Sequence, residues 1–319
     1  KAANINENTP LMFATRFGHS STTAILLRNG ADKNRGDDKG WTSLMRAAAN
    51  GHTKVVVELL KGSGDALDID AQDKADTTAL MAACKSGQLD TASLLLDHSA
   101  DALLPDSKGL TALHHSASAG HDLVVKALLQ QPDEVVQQLA GMTGGEKHMT
   151  PLMLACYNGC EGAVRLLLSS KKACAGAPVA KGREGDGYTA LMIAVEQGHE
   201  EVVRVILQQT KSDVHQAADD GVTTVFSLAK KNDTVLKLLH QVTLCPRPLA
   251  TPPRLTHPTV HRPPPATLKR DVPPPLQVRT VLFQCHQQTK IASDVWHRWL
   301  RGREPESLKV SLPPFNVPK

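Results

Sequence analysis

Aromatic residues make up only 3% of this 319-residue chain, which is little for a core built around large side chains. Cysteine is scarce too. The six present, Cys84, Cys156, Cys160, Cys174, Cys245 and Cys285, are too sparse for a disulfide scaffold and fit a reducing, intracellular setting. No run approaches the roughly 18 consecutive apolar residues that cross a bilayer, which excludes a membrane span within this sequence. Its start has no basic stretch followed by an apolar core. The first residue is Lys1 rather than Met, so the chain reads as a fragment whose own N-terminus, with any targeting signal, lies upstream.

What is present is unevenly placed. The chain is 41% apolar and 21% charged, with a net charge of +4 and 20 prolines. Fifteen of those prolines fall in residues 246–319. The same segment holds 12 Lys+Arg against 4 Asp+Glu, net +8, leaving net −4 for residues 1–245. A mildly acidic globular part thus carries a basic, proline-rich extension.

The globular part repeats itself. Similar blocks open at Thr9, Thr42, Thr78, Thr111, Thr150, Thr189 and Thr223, at spacings of 33, 36, 33, 39, 39 and 34. Nine residues after each of the first six lies Gly18, Gly51, Gly87, Gly120, Gly159 or Gly198, and the seventh block has Asn232 there. Asn is the residue that best replaces Gly in a left-handed conformation. An apolar pair recurs at +17 and +18, from Leu26/Leu27 to Ile206/Leu207, whereas Leu238/Leu239 of the seventh block arrives two residues early.

The physics of one block explains its length. Threonine caps a helix N-terminus by accepting a free backbone N–H, and Pro10 and Pro151 suit the first helical position. Small residues follow at +5 and +6, such as Ala47/Ala48, Ala83/Cys84 and Ala155/Cys156, where a neighbouring helix comes close. Glycine at +9 ends this helix in a left-handed cap. A second helix carries apolar residues at +13, +14, +17 and +18 on one face, as in Val55, Val56, Leu59 and Leu60. Each unit is helix, tight turn, helix and loop, too small to bury its own apolar face and obliged to stack on its neighbours.

Thr9-Pro10-Leu11-Met12-Phe13-Ala14, Thr150-Pro151-Leu152-Met153-Leu154-Ala155 and Thr111-Ala112-Leu113-His114 resemble the ankyrin repeat signature T-P-L-H-x-A. The Gly-His pairs at 18–19, 51–52, 120–121 and 198–199 and the Gly30-Ala31-Asp32 turn extend the resemblance over about residues 1–240. It implies an all-α, helix-turn-helix repeat solenoid over residues 1–243 with a proline-rich, disordered tail over 244–319. One departure is systematic. The histidine at +3 is replaced by Met12, Met45, Met81, Met153 and Met192, leaving His114 as the match. In the family that histidine links loops by hydrogen bonds, so here plain packing is expected instead.

Candidate chemistry is thin. Gly141-Met142-Thr143-Gly144-Gly145-Glu146-Lys147 suggests a phosphate loop, but Glu146 and His148 occupy the places that need Gly and Ser or Thr, so it reads as an inter-repeat insertion. A second insertion, Lys171 to Gly187, lacks a dinucleotide fingerprint and reads as a mobile loop. Cys156, Cys160, Cys174 and His148 lack the second paired motif of a zinc site. Histidines at +10 (His19, His52, His121, His199) are read as loop-bonding. No catalytic arrangement, metal or cofactor is expected.

The resemblance implies partner contacts at the residue before each threonine and at +7 and +8. These are Trp41, Leu110, Met149 and Tyr188, then Arg16/Phe17, Lys85/Ser86, Tyr157/Asn158 and Glu196/Gln197. Of six aromatics in the repeats, Phe17, Trp41, Tyr157 and Tyr188 occupy slots expected to be exposed, the kind of residue from which binding hot spots are made. Mixed charges, with Asp37, Lys39, Lys85 and Glu196, argue against a phosphate-backbone groove. In the tail, Pro263-Pro264-Pro265 and Pro273-Pro274-Pro275 make an extended linker without P-x-x-P spacing. Lys290 to Arg301, with Trp296 and Trp299, forms either a transient helix or a weak membrane, partner or nucleic-acid contact. The sequence therefore predicts a monomeric, cytoplasmic or nuclear, non-catalytic scaffold that binds another protein. The alternative is the regulatory region of a larger enzyme, such as a kinase or ubiquitin ligase.

Overall fold

Threonine hydroxyls start the helices as expected. In the computed structural model, which describes residues 7–61, 66–176, 186–210, 217–230 and 232–244, Thr9, Thr42, Thr78, Thr150 and Thr189 each accept the backbone N–H three residues on, at 3.3 Å. Replacing Thr42 by valine keeps the β-branched shape and removes the acceptor, so it should cost about 1 kcal/mol. Urea unfolding checks this: Thr42→Ser should retain most of the stability, and equal loss from both changes would remove the cap from the account.

Repeat 1 comprises α1 (Pro10–Arg16) and α2 (Ser20–Arg28), repeat 2 α3 (Ser43–Ala49) and α4 (Thr53–Lys61), and repeat 3 α5 (Ala79–Lys85) and α6 (Leu89–Asp97). Repeat 4 has α7 (Ala112–Ala119) and α8 (Asp122–Leu128), followed by an extra helix, α9 (Asp133–Gly141). Repeat 5 has α10 (Pro151–Tyr157) and α11 (Glu161–Ser169), followed by α12 (Lys171–Gly176). Repeat 6 is α13 (Ala190–Gln197) and α14 (Glu200–Gln209), and repeat 7 is α15 (Val225–Ala229) and α16 (Asp233–Leu244). First helices pack in one row, α1, α3, α5, α7, α10, α13 and α15, and second helices in another. The fully buried Leu44, Leu59, Leu80, Leu95, Leu113 and Leu128 run between the rows as one continuous core.

The insertions are more ordered than a loop reading suggests. Residues 171–176 of the segment expected to be mobile form α12, which packs on α9, and 177–185 lie outside the described residues. Val136, Leu139 and Ala140 of α9 and Ala173 of α12 are buried, and Lys172 pairs with Asp133 at 2.5 Å. Apolar residues at i, i+3 and i+4 within the first insertion carried that helix signal.

Repeat 7 is registered one residue later than its threonine spacing suggested. Thr224, not Thr223, caps α15 by accepting from Ser227 N–H at 3.3 Å. Asn232 accepts the N–H groups of Thr234 and Val235 with its side-chain oxygen and so caps α16. It therefore stands where the other repeats have histidine at +10, and Val235 and Leu239 then fall on the buried positions. Counted from Thr224, and with α15 two residues shorter than the seven of α1, α3, α5 and α10, Leu239 takes the place of the +17 residue.

The proline-rich segment and the Trp296/Trp299 stretch lie outside the described residues. Among those described, no helix is long and apolar enough to cross a membrane.

Candidate functional site

Between repeats the chain makes short fingers. At their bases Asp37, Asp73 and Asp106, each five residues before a cap threonine, accept two backbone N–H groups with one oxygen: Asp37 from Lys39 and Trp41 at 2.9 and 2.8 Å, Asp106 from Lys108 and Leu110 at 2.9 and 2.8 Å. This turn chemistry holds Lys39, Trp41 and Leu110 on the finger rather than in the core. Adjacent fingers join through backbone bonds, Lys74 N–H to Lys39 O at 3.0 Å, Ser107 N–H to Ala75 O at 2.9 Å and Gly145 N–H to Lys108 O at 2.7 Å. Residues 144–149, which overlap the Gly141–Lys147 stretch, make one such finger, closed by a Gly144–Met149 bridge.

The +7 residues are positioned by the histidines at +10. His52 Nε2–H donates to Arg16 O at 3.0 Å, His121 to Lys85 O at 3.1 Å and His199 to Tyr157 O at 2.9 Å. Each ring reaches back to the preceding repeat and lies over its glycine, where a Cβ on Gly18, Gly87 or Gly159 would come within 2.7–2.8 Å of the ring. The glycines are thus required twice, for a φ of 72–76° and for the histidine they carry.

The other free acid oxygen of the finger aspartates meets the first helices at +4. Arg46 pairs with the Asp37 carboxylate and also donates to Asn8 Oδ1 at 2.6 Å. His115 Nε2–H donates to Asp106 Oδ2 at 3.0 Å. Burial lowers the His115 pKa, aided by the Lys85 and Lys108 charges and opposed by Asp106, so the pair is a neutral imidazole against a carboxylate. His114 turns the other way. Its Nδ1 accepts Thr111 N–H at 3.1 Å, and its Nε2–H donates to Met149 O at 3.2 Å, linking repeat 4 to the next finger. Burial pushes its pKa down to about 4. Where methionine replaces it, packing is not the whole replacement: Met12 and Met45 Sδ lie 3.4 and 3.5 Å from the Thr9 and Thr42 N–H groups and accept there.

The expected contact residues fall into three stretches along the stack. Arg16, Lys39 and Trp41 line one groove of about 610 Å³ with Asn8, Phe13, Asp37, Asp38, Arg46 and Asn50. Lys85 and Leu110 belong to the next stretch, beside His115 and Asp106. Tyr157, Asn158, Tyr188, Glu196 and Gln197 lie beyond, where Lys147 Nζ sits 5.0 Å from the Tyr157 ring and Asn158 Nδ2–H donates to Ser118 O at 3.0 Å. Arg16, Lys39, Lys85, Asn158, Glu196 and Gln197 are exposed. Aromatic exposure is corrected by the packing. Phe17 is 60% exposed, with the Arg16 guanidinium 5.7 Å above its ring, but Trp41, Tyr157 and Tyr188 are half-buried against the core and Met149 is buried. Phe13, 43% exposed, and Arg46, both at +4, are groove residues that the +7/+8 rule passed over.

Cys84 and Cys156 are buried, with the Cys84 thiol pushed up to about 12 by burial, Cys160 Sγ–H points to Ser118 O at 3.5 Å, and Cys174 Sγ–H to Leu168 O at 3.3 Å. Among the described residues no three His, Cys, Asp or Glu side chains form a metal-holding group.

Comparison with known proteins accords with this build. The chain is 31% identical over 177 residues to protein glp-1 of Caenorhabditis elegans, covering 52% of this chain and 13% of that protein. It is 28% identical over 203 residues to the transient receptor potential cation channel subfamily A member 1 homolog of the same organism, covering 64% and 16%. It is 31% identical over 133 residues to palmitoyltransferase AKR1 of Lachancea kluyveri, covering 41% and 18%. The chain thus spans less than a fifth of these relatives. The crystal structure of the human ASB11 ankyrin repeat domain superposes with a TM-score of 0.59 at 21% identity, covering 73% of this chain and 97% of that one. The family model described as ankyrin repeats (3 copies) matches residues 1–73, 63–138 and 130–218, and the chain belongs to the ankyrin repeat family.

Proposed function

Ankyrin repeats are protein-interaction modules, and we propose that this chain is a non-catalytic adaptor that holds a segment of a partner protein between its fingers and its first helices. The observation that carries this is the groove of repeats 1 and 2. Exposed Arg16 and Lys39 flank it, Phe13 and the edge of Trp41 supply apolar surface, and Asn8 and Asn50 supply amide groups. Such a lining suits an extended segment with a carboxylate and a large apolar side chain. The second stretch, with Lys85 and Leu110, and the third, with Tyr157, Asn158, Tyr188, Glu196 and Gln197, extend the same surface.

A photo-crosslinking residue tests the surface. Placed at Phe17, it should capture a protein from cell extract that the same residue at Leu123, exposed on a second helix, does not. That capture should drop about tenfold with Arg16→Ala and Lys39→Ala together, in a chain whose urea midpoint is unchanged. Equal capture from both positions would sink the assignment.

A second reading, the ankyrin region of a longer enzyme, is favoured by one observation: a relative named a palmitoyltransferase matches over only 18% of its length. A catalytic motif encoded beyond either end of this sequence would establish it, and acyltransferase assay of that longer protein would follow.

A further inference from the structure

The fingers carry a charge pattern that extends well past the groove of repeats 1 and 2. Lys39, Lys74, Lys108 and Lys147 stand one on each of the first four fingers, three residues before the cap threonine or, for Lys74, four. All four are exposed, and among the described residues none forms an ion pair. The backbone bonds between fingers tie them into one row. Lys74 N–H donates to Lys39 O, Ser107 N–H to Ala75 O and Gly145 N–H to Lys108 O, so each bond starts or ends at one of these lysines or beside one. The fifth and sixth fingers bear Asp186 and Asp220 instead, which ends the row.

The spacing of the row selects the shape of what it can hold. The first helices beneath the fingers pack side by side, one per repeat, a separation of roughly 8–10 Å. A β-strand rises about 3.3 Å per residue and turns alternate side chains to opposite faces, so one face repeats at about 6.6 Å and then about 13 Å. A polyproline II segment has three residues per turn and rises about 3.1 Å per residue, so every third side chain returns to one face after about 9.3 Å. Only the second period matches the fingers.

The acids beside the lysines select the class of anion. Asp38, Asp76 and Glu146 are exposed on the same fingers, within two residues of a lysine. A nucleic-acid strand carries a charge about every 3.4 Å of helix axis and would set phosphates against these carboxylates as well as against the lysines. A chain with one charge per polyproline turn meets the lysines alone.

We infer that the first four fingers form a docking row for a polyproline II segment of a partner protein, with Asp or Glu at every third position. This names the chemistry of the partner segment and rests on the adaptor reading above.

The probe is a fluorescent peptide of Glu-Pro-Pro repeated four times. Its control has the same composition, with the four glutamates alternating with proline ahead of a run of the remaining prolines. Anisotropy with the full chain at low salt should show the first peptide binding about tenfold more tightly, since the control puts only part of its charge in register. The basic residues 246–319 attract both peptides alike, so their ratio reports the fingers. Lys74→Ala with Lys108→Ala should erase the preference at an unchanged thermal midpoint, both side chains being exposed. Equal affinity for the two peptides, or a preference that survives both alanines, would overturn the inference. So would a single-stranded oligonucleotide that binds more tightly than either peptide and is lost with the same alanines, since the row would then serve nucleic acid. Capture at Phe17 tests the adaptor reading apart from this. Capture that drops with Arg16→Ala and Lys39→Ala but not with Lys74→Ala and Lys108→Ala would keep that reading and sink the row.

Discussion

Replacing Gly159 by alanine should destabilise the protein by about 3 kcal/mol, whereas the same change at Gly30 should cost about 1 kcal/mol. The two glycines share a backbone, with φ of +73° and +74°. The left-handed strain on a new Cβ, partly offset by the smaller entropy of the unfolded alanine chain, is therefore common to both. Their surroundings differ. A Cβ on Gly30 meets nothing within 4 Å, while one on Gly159 would come 2.7 Å from His199 Nδ1 and 2.8 Å from Cε1. The ring cannot retreat without stretching its 2.9 Å bond to Tyr157 O, which also fixes the +7 residue at the third stretch of the candidate surface.

Urea unfolding of the single variants, and of Gly159→Ala in a His199→Ala background, measures the contact. The double variant should recover most of the excess, because the obstacle is gone. If Gly159→Ala and Gly30→Ala cost the same, the histidine does not constrain the glycine.

The second large effect is in pH. Acidification from pH 7 to pH 4 should remove about 3 kcal/mol more stability from the native chain than from His114→Met. His114 is fully buried, and its pKa is down at about 4 against an ordinary value of 6.5. Below pH 6.5 the unfolded chain takes up a proton that the folded chain refuses, so stability falls as pH drops through this window and levels off below about 4. The geometry gives the same sign. Nδ1 accepts from Thr111 N–H, and a proton there would face that donor. His115, whose pKa burial also lowers, adds a loss of the same direction that remains in the variant.

Methionine is the natural control, being the residue at this position in repeats 1, 2, 3, 5 and 6, where Met12 and Met45 accept the cap N–H through sulfur. At pH 7 the variant should lose only the bond to Met149 O, about 1 kcal/mol. Thermal melts of both chains from pH 7 to pH 4 decide the matter. Parallel curves would place the acid sensitivity elsewhere.

The candidate surface was legible only in outline. Arg16, Lys39, Lys85, Asn158, Glu196 and Gln197 are exposed because they stand at fixed offsets from a cap threonine, and offsets are written in sequence. Trp41, Tyr157 and Tyr188 obey the same offsets but lean onto neighbouring repeats, and a large ring follows the nearest apolar surface rather than its register. Phe13 and Arg46 were missed for a related reason. Position +4 varies from Phe to Arg, Ala, His, Leu and Ile across the first six repeats, and only folding sets it opposite the finger aspartates.

The sequence by itself determined the repeat, its two helices and its caps, since threonine hydroxyls, left-handed glycines and apolar spacing act within some 20 residues of one another. Tertiary structure decided what crosses from one repeat to the next. The ring of His199 over Gly159, the His114 bond to Met149 O, the Arg46–Asn8 bond and the packing of α12 on α9 all depend on neighbours brought together by stacking. Those contacts span about one repeat length, and local propensity carries no information about what lies that far away until the stack has formed.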